Sequence, residues 1–199
     1  MKTPHTLREV AGLPTDLPRL RDCALVLVDC QNTYRQGLMA LEGVEAALAE
    51  AAAVLARARE AGSPIFHIQH DSGPGSPYDI RAEIGAISAP VAPADGEPVI
   101  IKHLPNSFAG TGLLEHIAAT NRKDIVLVGF MTHMCINSTA RGAFTLGLQP
   151  TVVASATATR PLPTAAGGVV PADVLQAASI AALGDLFARI ATDSAALPD

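Results

Sequence analysis

Three residues of different chemical type, Asp29, Lys102 and Cys135, each follow a short apolar segment. Asp29 comes directly after ALVLV, Lys102 directly after PVII, and Cys135 lies six residues beyond DIVLVG. A cysteine sulfur attacks carbonyl carbons well as a thiolate, a form that a nearby cation or a helix N-terminus favours. A carboxylate can take the thiol proton and return it to a leaving group. The three residue types together therefore indicate nucleophilic hydrolysis through a thioester.

Each of these residues also has an ordinary structural explanation. An Asp after a strand often caps a helix, a Lys at a strand end is usually solvated, and a lone Cys in an apolar chain is usually part of the core. A common position at one sheet edge favours the catalytic interpretation, because three unrelated residues would otherwise reach that edge by chance.

The apolar segments are typical of strands buried on both faces, since they are nearly continuous in Val, Ile and Leu. They cover 24–29, 64–69, 98–102, 124–129 and 150–155, with an edge strand expected at 188–191. Apolar residues at helical spacing lie between them, over 43–61 and near 113–117, 136–144 and 175–186. The alternation predicts a doubly wound α/β fold, in which a parallel sheet is covered by helices on both sides. Such sheets bind ligands at the carboxyl ends of their strands, where Asp29, Lys102 and Cys135 would meet.

Length and composition predict one globular domain over residues 1–199, with an irregular N-terminal arm over 1–20. Apolar residues make up 49% of the chain and charged residues 17%, which excludes a disordered protein. The longest irregular stretch covers 71–97. Loops of that length in compact domains are usually functional, so we expect this one to form a lid or a wall of the ligand pocket.

Charge and cysteine usage restrict the partners and the compartment. The net charge is −5 and there is no run of five Lys or Arg residues, which argues against nucleic acid or an anionic membrane as the main partner. No apolar segment reaches the roughly 18 residues of a membrane span, and the N-terminal sequence lacks the apolar stretch of a signal peptide. Three irregularly spaced cysteines indicate reduced thiols and a cytoplasmic location, with Cys23 and Cys30 structural. The expected partner is a small-molecule substrate.

Three sequence blocks in order resemble the isochorismatase-like cysteine hydrolases, a family that includes nicotinamidases and N-carbamoylsarcosine amidases. The blocks are LVLVDCQN around Asp29, IIKHLPNSFAGTGL around Lys102, and VGFMTHMCINSTARGAFTLGLQPTVVASATAT around Cys135. The third is the most specific, with G-x-x-T-x-x-C followed by S-T-A. The resemblance extends from Asp22 to Ile190.

The resemblance implies a role for each residue of the site. Cys135 would be the nucleophile, Asp29 the general base and acid, and Lys102 the residue that orients both and favours the thiolate. A cis peptide bond would join Phe130 to Met131, and the N–H groups of Met131 and Cys135 would form an oxyanion hole, with Thr132 bracing the turn. The implied fold is a three-layer αβα arrangement around a six-stranded parallel sheet, assembled into homodimers or larger homo-oligomers.

Three further residues are candidates for substrate binding. Gln31, two residues after Asp29, would either touch the substrate or cap the next element. His70, at a strand end, would face the pocket. Phe108 matches a family position that often lines the pocket, although a buried Phe is more often plain core.

No metal or other cofactor is expected. Nicotinamidases hold a metal with an Asp and several His after the second strand, where this chain reads HIQHDSGPGSPYD. Residues three apart in an extended strand face opposite ways, so His67 and His70 make a poor ligand pair. A dinucleotide cofactor is excluded because the first strand is followed by DCQNTYRQG and not by a G-x-G-x-x-G loop.

The predicted function is therefore hydrolysis of a small amide, ureide or related carbonyl compound through a Cys–Asp–Lys triad. Two alternatives stay open. One is an isochorismatase-type enzyme that cleaves a vinyl ether and releases pyruvate. The other is a non-catalytic binding module on the same scaffold.

Overall fold

Six parallel strands form the central sheet of the computed structural model, which describes residues 4–199. In chain order, the strands of this sheet and of a second, small one are β1 Cys23–Val28, β2 Ile65–His70, β3 Val99–Lys102, β4 Asp124–Phe130, β5 Gln149–Ala158, β6 Leu162–Pro163, β7 Val169–Val170 and β8 Arg189–Ala191. Strands β6 and β7 form a separate antiparallel pair. The order across the large sheet is β3-β2-β1-β4-β5-β8. The chain builds outward from β1 in both directions, which confirms the doubly wound fold and places its switch point between β1 and β4.

Helices cover both faces of the sheet. They are α1 Leu7–Val10, α2 Val44–Glu60, α3 Leu113–Ala119, α4 Asn137–Thr145 and α5 Ala172–Asp185, and a π-helical turn at Thr132–Ile136 leads into α4. The buried face of α2 packs on one side of the sheet. Buried residues of α3, α4 and α5 pack on the other side, which gives the three layers.

The apolar spacing of α2 explains why this segment is a helix and where it lies. Its buried residues step along the chain by three and four and so form one stripe. The helix ends before Gly62, whose φ of 68° lies in the left-handed region that helix C-termini favour. The chain then enters β2 without a long connection.

The N-terminal arm, predicted as irregular, contains the short helix α1, which a capping box between Thr6 and Glu9 stabilises. Residues 1–3 of that arm lie outside the described residues. Within residues 4–199, no helix is both long enough and apolar enough to cross a membrane.

Candidate active site

Asp29, Lys102 and Cys135 meet at the carboxyl edge of the sheet. Asp29 follows β1, Lys102 ends β3, and Cys135 lies in the π-helical turn after β4. The Nζ atom of Lys102 lies 2.7 Å from Oδ2 of Asp29 and 3.4 Å from Sγ of Cys135. The side chains of Asp29 and Lys102 have no exposed surface, and Cys135 is only 5% exposed. The site is therefore an ion pair that contacts a thiol, almost sealed from water.

The backbone of Asp29 is held in an unusual conformation. Its φ of 51° lies in the left-handed region, which non-glycine residues seldom adopt outside turns and functional sites. The ordinary explanation of Asp29 as a helix cap does not apply, because the side chain pairs with Lys102 and the next short helix begins after Gln31 without a side-chain cap. Neighbouring Gly129 makes room for this turn. An added Cβ there would lie 2.0 Å from the carbonyl oxygen of Val28.

The charges of the site determine where its protons lie. Burial raises the pKa of Asp29, while the positive charge of Lys102 opposes that rise. Burial and the Asp29 carboxylate raise the pKa of the Cys135 thiol to about 12, and Lys102 only partly offsets them. Lys102 favours the thiolate, as the sequence predicts, but burial beside a carboxylate outweighs this effect, so the pKa is raised and not lowered. The raised pKa favours the thiol over the thiolate.

The turn around Cys135 differs from the prediction that a helix begins beside this residue. The helical segment begins at Thr132 as a π-helical turn, so Cys135 lies inside it. The peptide bond between Phe130 and Met131 is cis. The side chain of Thr132 is fully buried, and its Oγ1 atom has no hydrogen-bond partner among the described residues.

His70 belongs to the site through its contact with Lys102. Its Nδ1 lies 3.1 Å from Nζ of Lys102, and its Nε2 lies 3.0 Å from Oγ of Ser72. Burial and the neighbouring positive charge of Lys102 lower the pKa of His70 to about 4. The imidazole is therefore neutral at pH 7, so that Nδ1 accepts a hydrogen bond from Lys102 and Nε2 carries the proton.

Gln31 is buried and its amide is used within the protein. Its Nε2 donates to the carbonyl oxygens of His70 and Gly85, at 3.0 Å and 2.7 Å, and its Oε1 accepts from the backbone N–H of His70 at 2.9 Å. The sequence left two roles open for Gln31, contact with the substrate or capping of the next element. The side chain does not cap the short helix that follows. Gln31 instead ties the end of β1 to the end of β2 and to the segment after it.

The long segment 71–97 forms a wall beside the triad. Arg81 donates to both carboxylate oxygens of Asp71 and to Asp79, which fixes the first half of the segment. The ring of Tyr78 then packs edge-on against His70, with ring centroids 5.1 Å apart. The predicted lid or wall is thus held by ion pairs and ring contacts in this structure.

Both tyrosines of the chain lie at the site, and the sequence reasoning missed them. Tyr34 is buried and packs edge-on against Tyr78 and Phe130, at centroid distances of 5.8 Å and 5.6 Å. Burial raises the pKa of Tyr34 and of Tyr78, and the negative charge of Asp29 contributes to both shifts. The signal for Tyr34 was its place in the segment directly after Asp29. Tyr78 had no signal beyond being an aromatic residue in the long loop.

Phe108 is a partly buried residue at the edge of the core. It packs against the apolar cluster on the α3–α4 side of the sheet, the cluster to which Cys135 also belongs. It lines a shallow groove with Asn106 and Arg141. The structure therefore favours the core interpretation of Phe108.

The two histidines after the second strand do not converge. His67 is buried and faces Glu97, with Nε2 2.8 Å from Oε2, whereas His70 faces Lys102. Within residues 4–199, no group of three or more His, Cys, Asp or Glu side chains is arranged to hold a metal ion.

The sequence and the fold match proteins of one family. The family model of the isochorismatase domain matches residues 23–193. The secreted isochorismatase effector Isc1 of Verticillium dahliae is 32% identical over 93% of this chain and 95% of its own length. A solved isochorismatase structure from Pseudomonas putida has a TM-score of 0.94 at 33% identity, covering 98% of this chain and 100% of that one.

Other relatives are named as a hydrolase or as amidohydrolases. A streptothricin hydrolase of Streptomyces noursei is 33% identical over 88% of this chain and 64% of its own length. A maleamate amidohydrolase of Pseudomonas putida is 29% identical over 67% of this chain and 70% of its own length. A ureidoacrylate amidohydrolase of Variovorax paradoxus is 26% identical over 63% and 64%, respectively.

Proposed function

The chain belongs to the isochorismatase family, and from this premise we propose that it hydrolyses a small amide or ureide with Cys135 as the nucleophile. The relatives named as amidohydrolases support this class of reaction. One observation carries the proposal: Nζ of Lys102 lies 2.7 Å from Oδ2 of Asp29 and 3.4 Å from Sγ of Cys135. A base, a cation and a nucleophile therefore contact one another in a site that excludes water.

In the first half of the reaction, the sulfur of Cys135 attacks the carbonyl carbon while the thiol proton moves to Asp29. The carbonyl π electrons move to oxygen and give a tetrahedral oxyanion. The backbone N–H groups of Met131 and Cys135 are the proposed donors to this oxygen. The C–N bond then breaks, Asp29 returns the proton to the leaving nitrogen, and a thioester remains on Cys135.

In the second half, water attacks the thioester and Asp29 takes a proton from it. The C–S bond breaks, and that proton passes to the sulfur, which restores the thiol. The net reaction consumes one amide and one water and yields a carboxylic acid and an amine or ammonia. Lys102 stabilises the carboxylate in each step at which Asp29 is charged.

The test is ammonia release from a panel of small amides and ureides, followed by variants of the nucleophile on the best substrate. Cys135→Ala and Cys135→Ser should each lower kcat/KM by roughly 10³-fold or more. Cys23→Ser is the matched control, because Cys23 is also buried but lies at the start of β1, at the other end of the strand. Full turnover by both Cys135 variants would show that the thiol is not the nucleophile.

A second candidate is cleavage of a vinyl ether, favoured by the isochorismatase named among the relatives at 32% identity over 93% of the chain. Pyruvate release from isochorismate distinguishes it from amide hydrolysis. Pyruvate release that persists in Cys135→Ala, together with no ammonia from any amide, would replace the first proposal by the second.

Other expectations from the sequence stay predictions. They are a single domain, a homodimer or larger homo-oligomer, a small-molecule partner, a cytoplasmic location and the lack of a cofactor.

A further inference from the structure

Three acceptor atoms surround the ammonium group of Lys102. Oδ2 of Asp29, Sγ of Cys135 and Nδ1 of His70 lie 2.7 Å, 3.4 Å and 3.1 Å from Nζ. A lysine ammonium carries three N–H groups, so these three acceptors account for all of them. The side chain of Lys102 has no exposed surface, so water does not replace an acceptor that is lost. The proposed mechanism gives a task to Asp29 and to Cys135 but none to His70.

The contact with His70 helps to set the direction in which the ammonium group points. The contacts of Nζ with Cys135 and with His70 have hydrogen-bond geometry. Neither carboxylate oxygen of Asp29 has a partner with that geometry among the described residues, so its short contact with Lys102 is an ion pair. Hydrogen bonds weaken steeply when they are misaligned, whereas the energy of an ion pair depends on distance. His70 and Cys135 therefore orient the ammonium group, and of these two only His70 keeps its bonding state while the sulfur reacts.

Contacts on several sides fix the imidazole ring of His70. Its Nε2 lies 3.0 Å from Oγ of Ser72, and Tyr78 packs edge-on against the ring with centroids 5.1 Å apart. The backbone N–H and carbonyl oxygen of His70 both bond to the buried side chain of Gln31, at 2.9 Å and 3.0 Å. A proton on Nε2 leaves the lone pair of Nδ1 free to accept from Lys102. The ring is thus an acceptor held in one place and one tautomer.

The sequence predicts that His70 binds the substrate, but both of its ring nitrogens are engaged within the protein. Nδ1 contacts Lys102 and Nε2 contacts Ser72, so neither nitrogen remains for a substrate. We propose that His70 is a positioning residue, which holds the ammonium group of Lys102 in contact with the base and the nucleophile. The assignment rests on the proposed hydrolase function and adds a residue to that site.

Two variants of nearly equal shape test this role. Asn and Leu have the same branched outline, but Oδ1 of an Asn side chain lies near the position of Nδ1 and accepts a hydrogen bond, whereas Leu has no acceptor. On the best amide of the panel, His70→Leu should lower kcat by about 10–100-fold, the effect of losing a hydrogen bond to a charged group, and leave KM within about threefold. His70→Asn should restore kcat to within about fivefold of wild type. His70→Ala should lose as much as His70→Leu, which separates the lost acceptor from a poor fit of Leu. His116→Leu, at an exposed position of α3, controls for the loss of a histidine.

A second measurement needs no substrate. Alkylation of Cys135 by iodoacetamide at pH 8, followed by mass spectrometry of the peptide that contains it, reports how well Lys102 supports negative charge on the sulfur. The rate should fall about 10-fold or more in His70→Leu and stay within about threefold of wild type in His70→Asn. Far-ultraviolet circular dichroism shows that each variant is folded.

The outcomes separate this assignment from the proposed function. Equal loss of kcat in His70→Asn and His70→Leu, or an alkylation rate that His70→Leu leaves unchanged, overturns the positioning role. A higher KM with unchanged kcat also overturns it, because His70 would then be a substrate contact. Each of these results leaves the hydrolase standing. No hydrolysis of any amide contradicts the proposed function itself, and the alkylation rates still decide whether His70 positions Lys102.

Discussion

Replacing Lys102 by Met is expected to cost about 3–5 kcal/mol of unfolding free energy at pH 8, because it removes the partner of a buried carboxylate. The Nζ atom of Lys102 lies 2.7 Å from Oδ2 of Asp29, and neither side chain is exposed. Methionine is flexible and nearly as large as the lysine stem, so the loss reflects charge more than an empty cavity.

The prediction is tested through the pH dependence of the unfolding free energy that Lys102→Met loses. Burial raises the pKa of Asp29, and Lys102 is the largest of the groups that lower it. Without Lys102 the pKa of Asp29 rises further, while the unfolded chain still titrates near the ordinary value of about 3.9. Above that pH the folded state binds the extra proton, so stability falls by up to about 1.4 kcal/mol for each pH unit until the folded carboxyl ionises. The unfolding free energy of Lys102→Met should therefore be greatest near pH 4 to 5 and decrease toward pH 8.

Urea unfolding followed by far-ultraviolet circular dichroism measures this, since the chain has no tryptophan for fluorescence. The matched control is Asp29→Asn/Lys102→Met, in which no buried carboxyl remains to titrate. It should lack the additional slope and be more stable than Lys102→Met at pH 8. A Lys102→Met protein whose stability has the same pH dependence as the double variant would refute a coupled, buried Asp29–Lys102 pair.

Two further predictions concern the residues around the triad. The variant His70→Gln should lose less stability between pH 7 and pH 5 than wild type does. Folding lowers the pKa of His70 to about 4, whereas the histidine of the unfolded chain takes up a proton from about pH 6.5 downward, so acid favours unfolding of the wild type. An unchanged loss of stability in pH-dependent urea unfolding contradicts this prediction. Gly129→Ala should cost more than about 4 kcal/mol, because its Cβ would lie 2.0 Å from the carbonyl oxygen of Val28 at a φ of 115°. Gly62→Ala, with a φ of 68° and open space, should cost only about 1–2 kcal/mol, and equal losses would refute the steric explanation.

The positions of the central strands could be predicted from the sequence because nearly every residue of β1, β2 and β4 is buried. The partly exposed strands β6 and β7 were not predicted. The apolar segments at 64–69 and 98–102 differ from β2 and β3 by one residue at their boundaries. Such segments have few alternatives, since neither a surface helix nor a half-exposed strand is apolar at every position. The contact between Asp29 and Lys102 could be predicted for another reason: the carboxyl ends of parallel strands lie at one edge of the sheet.

What could not be predicted depends on packing between distant segments. Gln31 offered no sequence signal for its hydrogen bond to the carbonyl oxygen of Gly85, which lies 54 residues away. Tyr78 packs against His70 from a loop that Arg81 also ties to Asp71, and both contacts join residues of the folded loop. The thiol pKa of Cys135 was predicted in the wrong direction because its shift is set by burial, and burial is a property of the folded site.

The raised thiol pKa is compatible with nucleophilic catalysis when the protons of the whole triad are considered. Lys102 supplies one positive charge in a site without exposed surface, so only one negative charge can be stabilised there. A carboxyl group loses its proton far more easily than a thiol, so that negative charge resides on Asp29 in the resting state. In the proposed mechanism, the proton then moves from Cys135 to Asp29 only as the carbonyl carbon accepts the sulfur electron pair, when the negative charge passes on to the substrate oxygen. This mechanism does not require a free thiolate to accumulate. It makes the reactivity of Cys135 depend on a correctly placed carbonyl group, so the residues that position the substrate would be as important as the nucleophile.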